Sequence, residues 1–90
     1  MDKIICDCAG IESADAFHRM LAQALNFPED YGHNLDALFD CLTEYRKDRE
    51  LIFNNWHSLQ YALKDYSEKA LYVFRCACQE NRHLIVTLHP

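Results

Sequence analysis

Apolar and polar positions follow two different periods along this chain, and the changes between them mark out its elements. The run KIICDC, Lys3 to Cys8, is short, largely apolar and bounded by Ala9-Gly10, which predicts a buried strand. Phe17, Met20, Leu21, Ala24 and Leu25 then fall at helical spacing behind Ser13, whose hydroxyl can accept a first-turn N–H. Pro28 is expected to close that helix and open a loop. Asn34, behind Gly32, is a second N-cap candidate. After it, Leu35, Leu38, Phe39 and Leu42 recur at i, i+3, i+4 and i+7, one apolar face at about 100° per residue. Glu50 to Asn54 reads as a second strand, and WHSLQYALKDY carries a short helical pattern. Ser67 or Asp65 is the expected cap of a further helix that turns Ala70, Leu71, Phe74 and Ala77 inward. His83 to His89 is the clearest strand, and its apolar density predicts a central or well-packed place in the sheet.

The order is therefore β-α-α-β-α-α-β. Strands alternating with helices predict an α/β fold, a three-stranded parallel sheet packed by about four helices and covered mainly on one face. Residues 1–90 are expected to form a single domain.

Composition narrows the setting. Half of the residues are apolar, which favours a folded core over disorder. No apolar run approaches the roughly 20 residues of a membrane span, and the MDKIICDCAG start lacks the long apolar stretch of a signal peptide. A cytoplasmic protein with no membrane partner is expected. The five cysteines, an odd number, do not suggest a disulfide framework. Cys6 and Cys8 share one face of a strand, while Cys76 and Cys78 lie about 200° apart on a helix and do not converge on a common metal. Most of the five are expected to be buried thiols.

Charge changes the picture more. Residues 1–45 hold nine acids and two bases, residues 46–90 five acids and seven bases, and no Lys or Arg occurs between Arg19 and Arg46. A field of that sign repels nucleic acid and attracts a basic partner. Asp36, Asp40 and Glu44 follow one another at four-residue intervals along the flank of the expected helix. Such like-charge pairs cost a few tenths of a kcal/mol each. The helix dipole accounts for Asp36 in the first turn, but not for Glu44 at the other end. A solvated helix flank is one reading and a surface for a basic ligand is another, with Tyr31 and Tyr45 as aromatic anchors beside the acids. A small metal-dependent domain using His33, Asp36 and Asp40 is a third, since hard cations take one or two carboxylates. His18, His57 and His83 have no acid or nucleophile at a recognisable spacing, and two glycines are too few for a phosphate loop.

The segment YGHNLDALFDCLT, Tyr31 to Thr43, resembles the central motif of the barstar family, intracellular inhibitors of barnase-like ribonucleases. The likeness extends more weakly to a first strand, a helix ending before FPED, the VFR of Val73 to Arg75, and the apolar last strand. It implies a non-enzymatic inhibitor without cofactor or metal, a monomer when free, whose motif helix and preceding loop plug a ribonuclease active site. The partner would be a basic secreted ribonuclease or a toxin ribonuclease, with the chain as its immunity protein, or else another basic protein bound by the same fold. Carried over by position, Asp40 would be the central anchor, Asp36 would pair with a second basic group, and Gly32 and Asn34 would shape the loop. Tyr45 would take the place of an aromatic contact. Three positions depart from the well-known member: Asp30 stands where an aromatic residue precedes Tyr31, Phe39 replaces a Trp, and Cys76 replaces an acid.

Overall fold

The computed structural model describes residues 1–90. Its elements are β1 (Asp2–Asp7), α1 (Ala14–Leu25), α2 (Leu35–Glu44), β2 (Arg49–Asn54), α3 (Trp56–Leu63), α4 (Asp65–Glu80) and β3 (Leu84–Leu88). The strands form one parallel sheet in the order β1-β2-β3, with Ile4 opposite Leu51 and Leu51 opposite Val86. The predicted α/β architecture, three parallel strands and four helices, is the one observed.

Alternation decides what each strand buries. Cys6, Leu51, Phe53 and Leu84 point to the helical side and are buried. Ile5 and Ile85 point the other way and stay 64% and 45% exposed, so the sheet is covered on one face. Under the covered face, the Phe53, Trp56 and Phe74 rings meet at centroid distances of 5.0–6.3 Å and join Phe17, Leu38 and Leu42 in the core. Cys6 and Cys8 lie within this packing, and burial pushes their thiols up to about 11 and about 12. All five cysteines are free, but only Cys6 and Cys8 are buried; Cys41, Cys76 and Cys78 are partly exposed, so most are not the buried thiols expected.

Three further expectations need correction. β3 is an edge strand, not a central one, because β2 is hydrogen-bonded on both sides. The apolar density of β3 reflects Leu84, Val86 and Leu88 turned toward the helices, which an edge position satisfies equally well. α1 ends before Pro28: Asn26 adopts left-handed dihedrals (φ 56, ψ 49) and its N–H bonds the Ala22 carbonyl. Neither Ser67 nor Asp65 caps α4. Lys64, at φ 50 and ψ −118, is the one residue between α3 and α4, and the Ser67 hydroxyl donates to its carbonyl at 2.6 Å.

The place of α2 follows from two contacts. Leu38 and Leu42 are fully buried, each worth roughly 1.5–3 kcal/mol in apolar transfer, and the helix packs on α4. At its C-terminal end, the Asn81 side-chain amide donates to the Leu42 and Tyr45 carbonyls at 2.9 and 2.6 Å. Its oxygen accepts the His83 N–H at 3.1 Å. Asn81 thus satisfies carbonyls that a helix end would otherwise leave orphaned.

Candidate functional site: an acidic groove and its supporting loop

The loop entering α2 is held from its own side and from behind. Asn34 is the N-cap as expected: its Oδ1 accepts the Ala37 N–H at 2.8 Å while its Nδ2 donates to the Gly32 carbonyl at 3.1 Å. A Cβ placed on Gly32 would lie 2.9 Å from Asn34 Nδ2, so glycine lets the chain close on the cap. Behind the loop, the buried His18 of α1 lies 2.6 Å from the Tyr31 hydroxyl through Nδ1 and 2.6 Å from the Tyr66 hydroxyl through Nε2. A neutral imidazole satisfies both, one nitrogen donating and the other accepting. Burial, and next the neighbouring His33, hold the His18 pKa below its ordinary value. His33 itself has left-handed dihedrals (φ 49) and bonds Asp15 of α1 at 2.8 Å through Nδ1. That bond is the main cause holding the Asp15 carboxyl below its usual range.

In front of the loop lies a groove of about 550 Å³ between α2 and α4. Leu35, Asp36, Phe39 and Asp40 line its α2 side. Tyr72, Val73, Cys76 and Glu80 line its α4 side. Asp36, Asp40 and Glu80 enter no ion pair within the chain, and no Lys, Arg or His lines the groove. Three carboxylates over an apolar floor therefore form a negative concavity, able to hold a cation-bearing surface and poorly suited to RNA.

Among the residues singled out from sequence, Asp36, Phe39, Asp40 and Cys76 meet in this groove. Phe39 is partly exposed there rather than a core residue. Gly32, Asn34 and the exposed Asp30 belong to the loop at the start of α2. Tyr31 is only 9% exposed and its ring packs on Phe27 and His33, so it supports the loop and offers a partner little surface. Glu44 and Tyr45 face elsewhere. Each step of four residues turns a helix by about 40°, and by Glu44 the acidic stripe has left the groove for a second cleft beside Arg49. The Tyr45 ring lies over the Arg49 guanidinium, 4.0 Å from Cζ to centroid.

His33, Asp36 and Asp40 do not come together as a metal site: His33 turns to Asp15, and no three His, Cys, Asp or Glu side chains converge anywhere in the chain. His83 does have an acid partner, Asp48, at 2.8 Å, a pairing 35 residues apart that spacing does not reveal. Sequence reasoning also passed over Tyr72 and Glu80. The signal was present, since Tyr72, Cys76 and Glu80 repeat at four-residue spacing on α4 as Asp36 and Asp40 do on α2. No helix is long and apolar enough to cross a membrane.

The family model described as "Barstar (barnase inhibitor)" matches residues 1–89. A Bacillus subtilis (strain 168) protein named "Putative ribonuclease inhibitor YrdF" is 37% identical over 81 residues, covering 89% of each chain. With the parallel sheet, the capped motif helix and the Tyr31–Thr43 segment in place, the chain belongs to the barstar family.

Proposed function

We propose that this protein inhibits a ribonuclease by filling the enzyme's basic active site with α2 and the loop before it. The observation that carries the reading is the groove in which Asp36, Asp40 and Glu80 stand without a base. A ribonuclease site must be basic to hold the RNA phosphate, and carboxylates fixed on a helix stand in for that phosphate without being cleaved. α2 is capped by Asn34, packed through Leu38 and Leu42 and tied at its far end by Asn81, so little freedom is lost on docking. Asp40, near the middle of α2, is the anchor; Asp36 and Asp30 extend the charged surface toward the loop. The chain catalyses nothing itself and acts as a cytoplasmic monomer. Its partner is a secreted ribonuclease or the nuclease domain of a toxin, for which it serves as immunity protein. The support is family membership, the name of the Bacillus relative and the sign of the groove.

The test is titration of a barnase-type ribonuclease, and of any nuclease encoded beside this gene, with the parent protein and with Asp40→Ala. Stoichiometric inhibition is expected from the parent. Truncating one partner of a buried charge pair costs about 2–5 kcal/mol, mainly through faster dissociation, a range drawn in part from the barnase–barstar complex of this same family. The association rate should fall as salt rises. Unchanged binding by Asp40→Ala would refute the anchor. Failure to inhibit either enzyme would turn the search to another basic protein as the partner of the groove.

A further inference from the structure

The second cleft, about 250 Å³, lies between the end of α1 and the C-terminal half of α2, away from the acidic groove. Its walls are Leu25, Phe27 and Pro28 on one side and Cys41 and Tyr45 on the other, with Arg49 of β2 facing it. Arg49 is 3% exposed, yet its side chain pairs with no carboxylate. Nε and Nη2 are both buried and neither has a hydrogen-bond acceptor within the chain. Buried polar groups are nearly always bonded, and a buried guanidinium is normally held by an anion. Tyr45 covers one face of the guanidinium, which steadies its charge but satisfies none of its N–H groups. The Tyr45 side chain makes no hydrogen bond and is 37% exposed, so it forms the outer wall of the cleft.

We propose that this cleft binds a carboxylate, with Arg49 as its donor and Tyr45 as its cover. The planar guanidinium fork matches a carboxylate bidentately. The Leu25, Phe27 and Pro28 wall suits an apolar body behind that group. Asn26, whose side-chain amide bonds nothing in the chain, stands at the rim as a further donor. The carboxylate comes from a free organic acid or from an acidic side chain of the inhibited ribonuclease.

The experiment uses benzoate as probe and benzamide, its neutral analogue of the same shape, as control, and needs no ribonuclease. The Arg49 Nε–H resonance is followed by NMR in the unaltered protein and the backbone amides around the cleft in Arg49→Met. Benzoate should shift Nε–H saturably, at roughly a tenfold lower concentration than benzamide, the ratio expected between a charge-assisted and a neutral hydrogen bond. In Arg49→Met the cleft amides should no longer distinguish the two probes. An Nε–H resonance unmoved by benzoate, or moved equally by benzamide, overturns the proposal. So does a parent-like preference for benzoate in Arg49→Met. Should that variant fail to fold, the Nε–H measurement still decides. Repeating an inhibition titration with benzoate present separates the two sources. A higher inhibitor requirement than in sodium chloride of equal ionic strength identifies the ribonuclease's carboxylate, and an equal one excludes that source and leaves a free acid. Loss of all ribonuclease inhibition would refute the function proposed above without touching the Arg49 result.

Discussion

Asn81 sits outside the groove, yet its single amide fixes one end of the proposed binding helix. Consider Asn81→Ala. The residue is 1% exposed, and its Nδ2 serves the Leu42 and Tyr45 carbonyls while Oδ1 serves the His83 N–H. Its backbone, at φ −129 and ψ 97, is open to any residue, so the effect of substitution lies in the side chain. The Leu42 contact is buried and its loss costs about 1–3 kcal/mol. The other two contacts are part-buried; water can partly replace them, leaving each worth about 0.5–1 kcal/mol. The sum runs over about 2–5 kcal/mol, and a value of about 3 is already a large share of the roughly 5–15 kcal/mol that holds a domain folded. For a chain of this length that lowers Tm by roughly 12–24 °C. Asn81→Asp should be worse than Ala, because it sets a carboxylate against two carbonyl oxygens. Urea unfolding of the three proteins measures the order directly. An alanine variant within about 1 kcal/mol of the parent, or an aspartate variant more stable than the alanine one, would show that α2 is held by packing alone.

Three further outcomes are expected. His18 is buried and its pKa lies below the ordinary 6.5, so the unfolded chain takes up a proton that the folded one refuses. Stability should therefore fall as pH drops below about 6.5, with a slope approaching about 1.4 kcal/mol per pH unit until folded His18 protonates. Unfolding of His18→Gln across pH 4.5–7.5 should lose that slope, and its persistence would assign the acid sensitivity elsewhere. Gly32→Ala should cost about 1 kcal/mol through the displaced Asn34 cap. In a double-mutant cycle with Asn34→Ala the two costs should not add, whereas full additivity would exclude the shared cause. Arg49→Met should leave stability within roughly 1 kcal/mol of the parent or raise it, since it removes an unpaired buried charge and keeps the volume; a loss above about 2 kcal/mol in denaturant melts would contradict the orphaned state of Arg49.

What the sequence disclosed and what it withheld divide along the range of the interactions. Ser13 and Asn34 were readable as caps because the bonds they make lie three residues away. The faces of α2 and α4 were readable because 3.6-residue periodicity is local. The edge position of β3 was not, since an apolar strand looks the same whether one neighbour or two lie beside it. The second cleft that Glu44 turns toward is built from the end of α1 and from β2, and the partners of His18 and of the Asn81 amide nitrogen lie 13 to 48 residues away. The cap of α4 was misread because a single residue joins it to α3, leaving Ser67 inside the helix rather than before it. Of the site, Asp36, Asp40 and the loop came from the motif; the opposing wall of Tyr72, Cys76 and Glu80 required the fold, apart from the Cys76 carried by family likeness.

The strand order β1-β2-β3 also sets a timetable for completing the groove. β2 pairs with a strand 47 positions earlier and another 35 positions later, as Asp2 opposite Arg49 and Arg49 opposite Leu84 show. Such distant pairings form late, because the chain between them must be ordered first. α2 leans on α4, and Asn81, which holds the end of α2, is three residues before β3. A nascent chain that has produced the whole motif segment therefore has only one wall of the groove. Under the proposed function, it could capture a nuclease only after the residues of α4 and β3 have emerged and docked, so any delay in that last pairing would lengthen the interval in which the nuclease is unopposed.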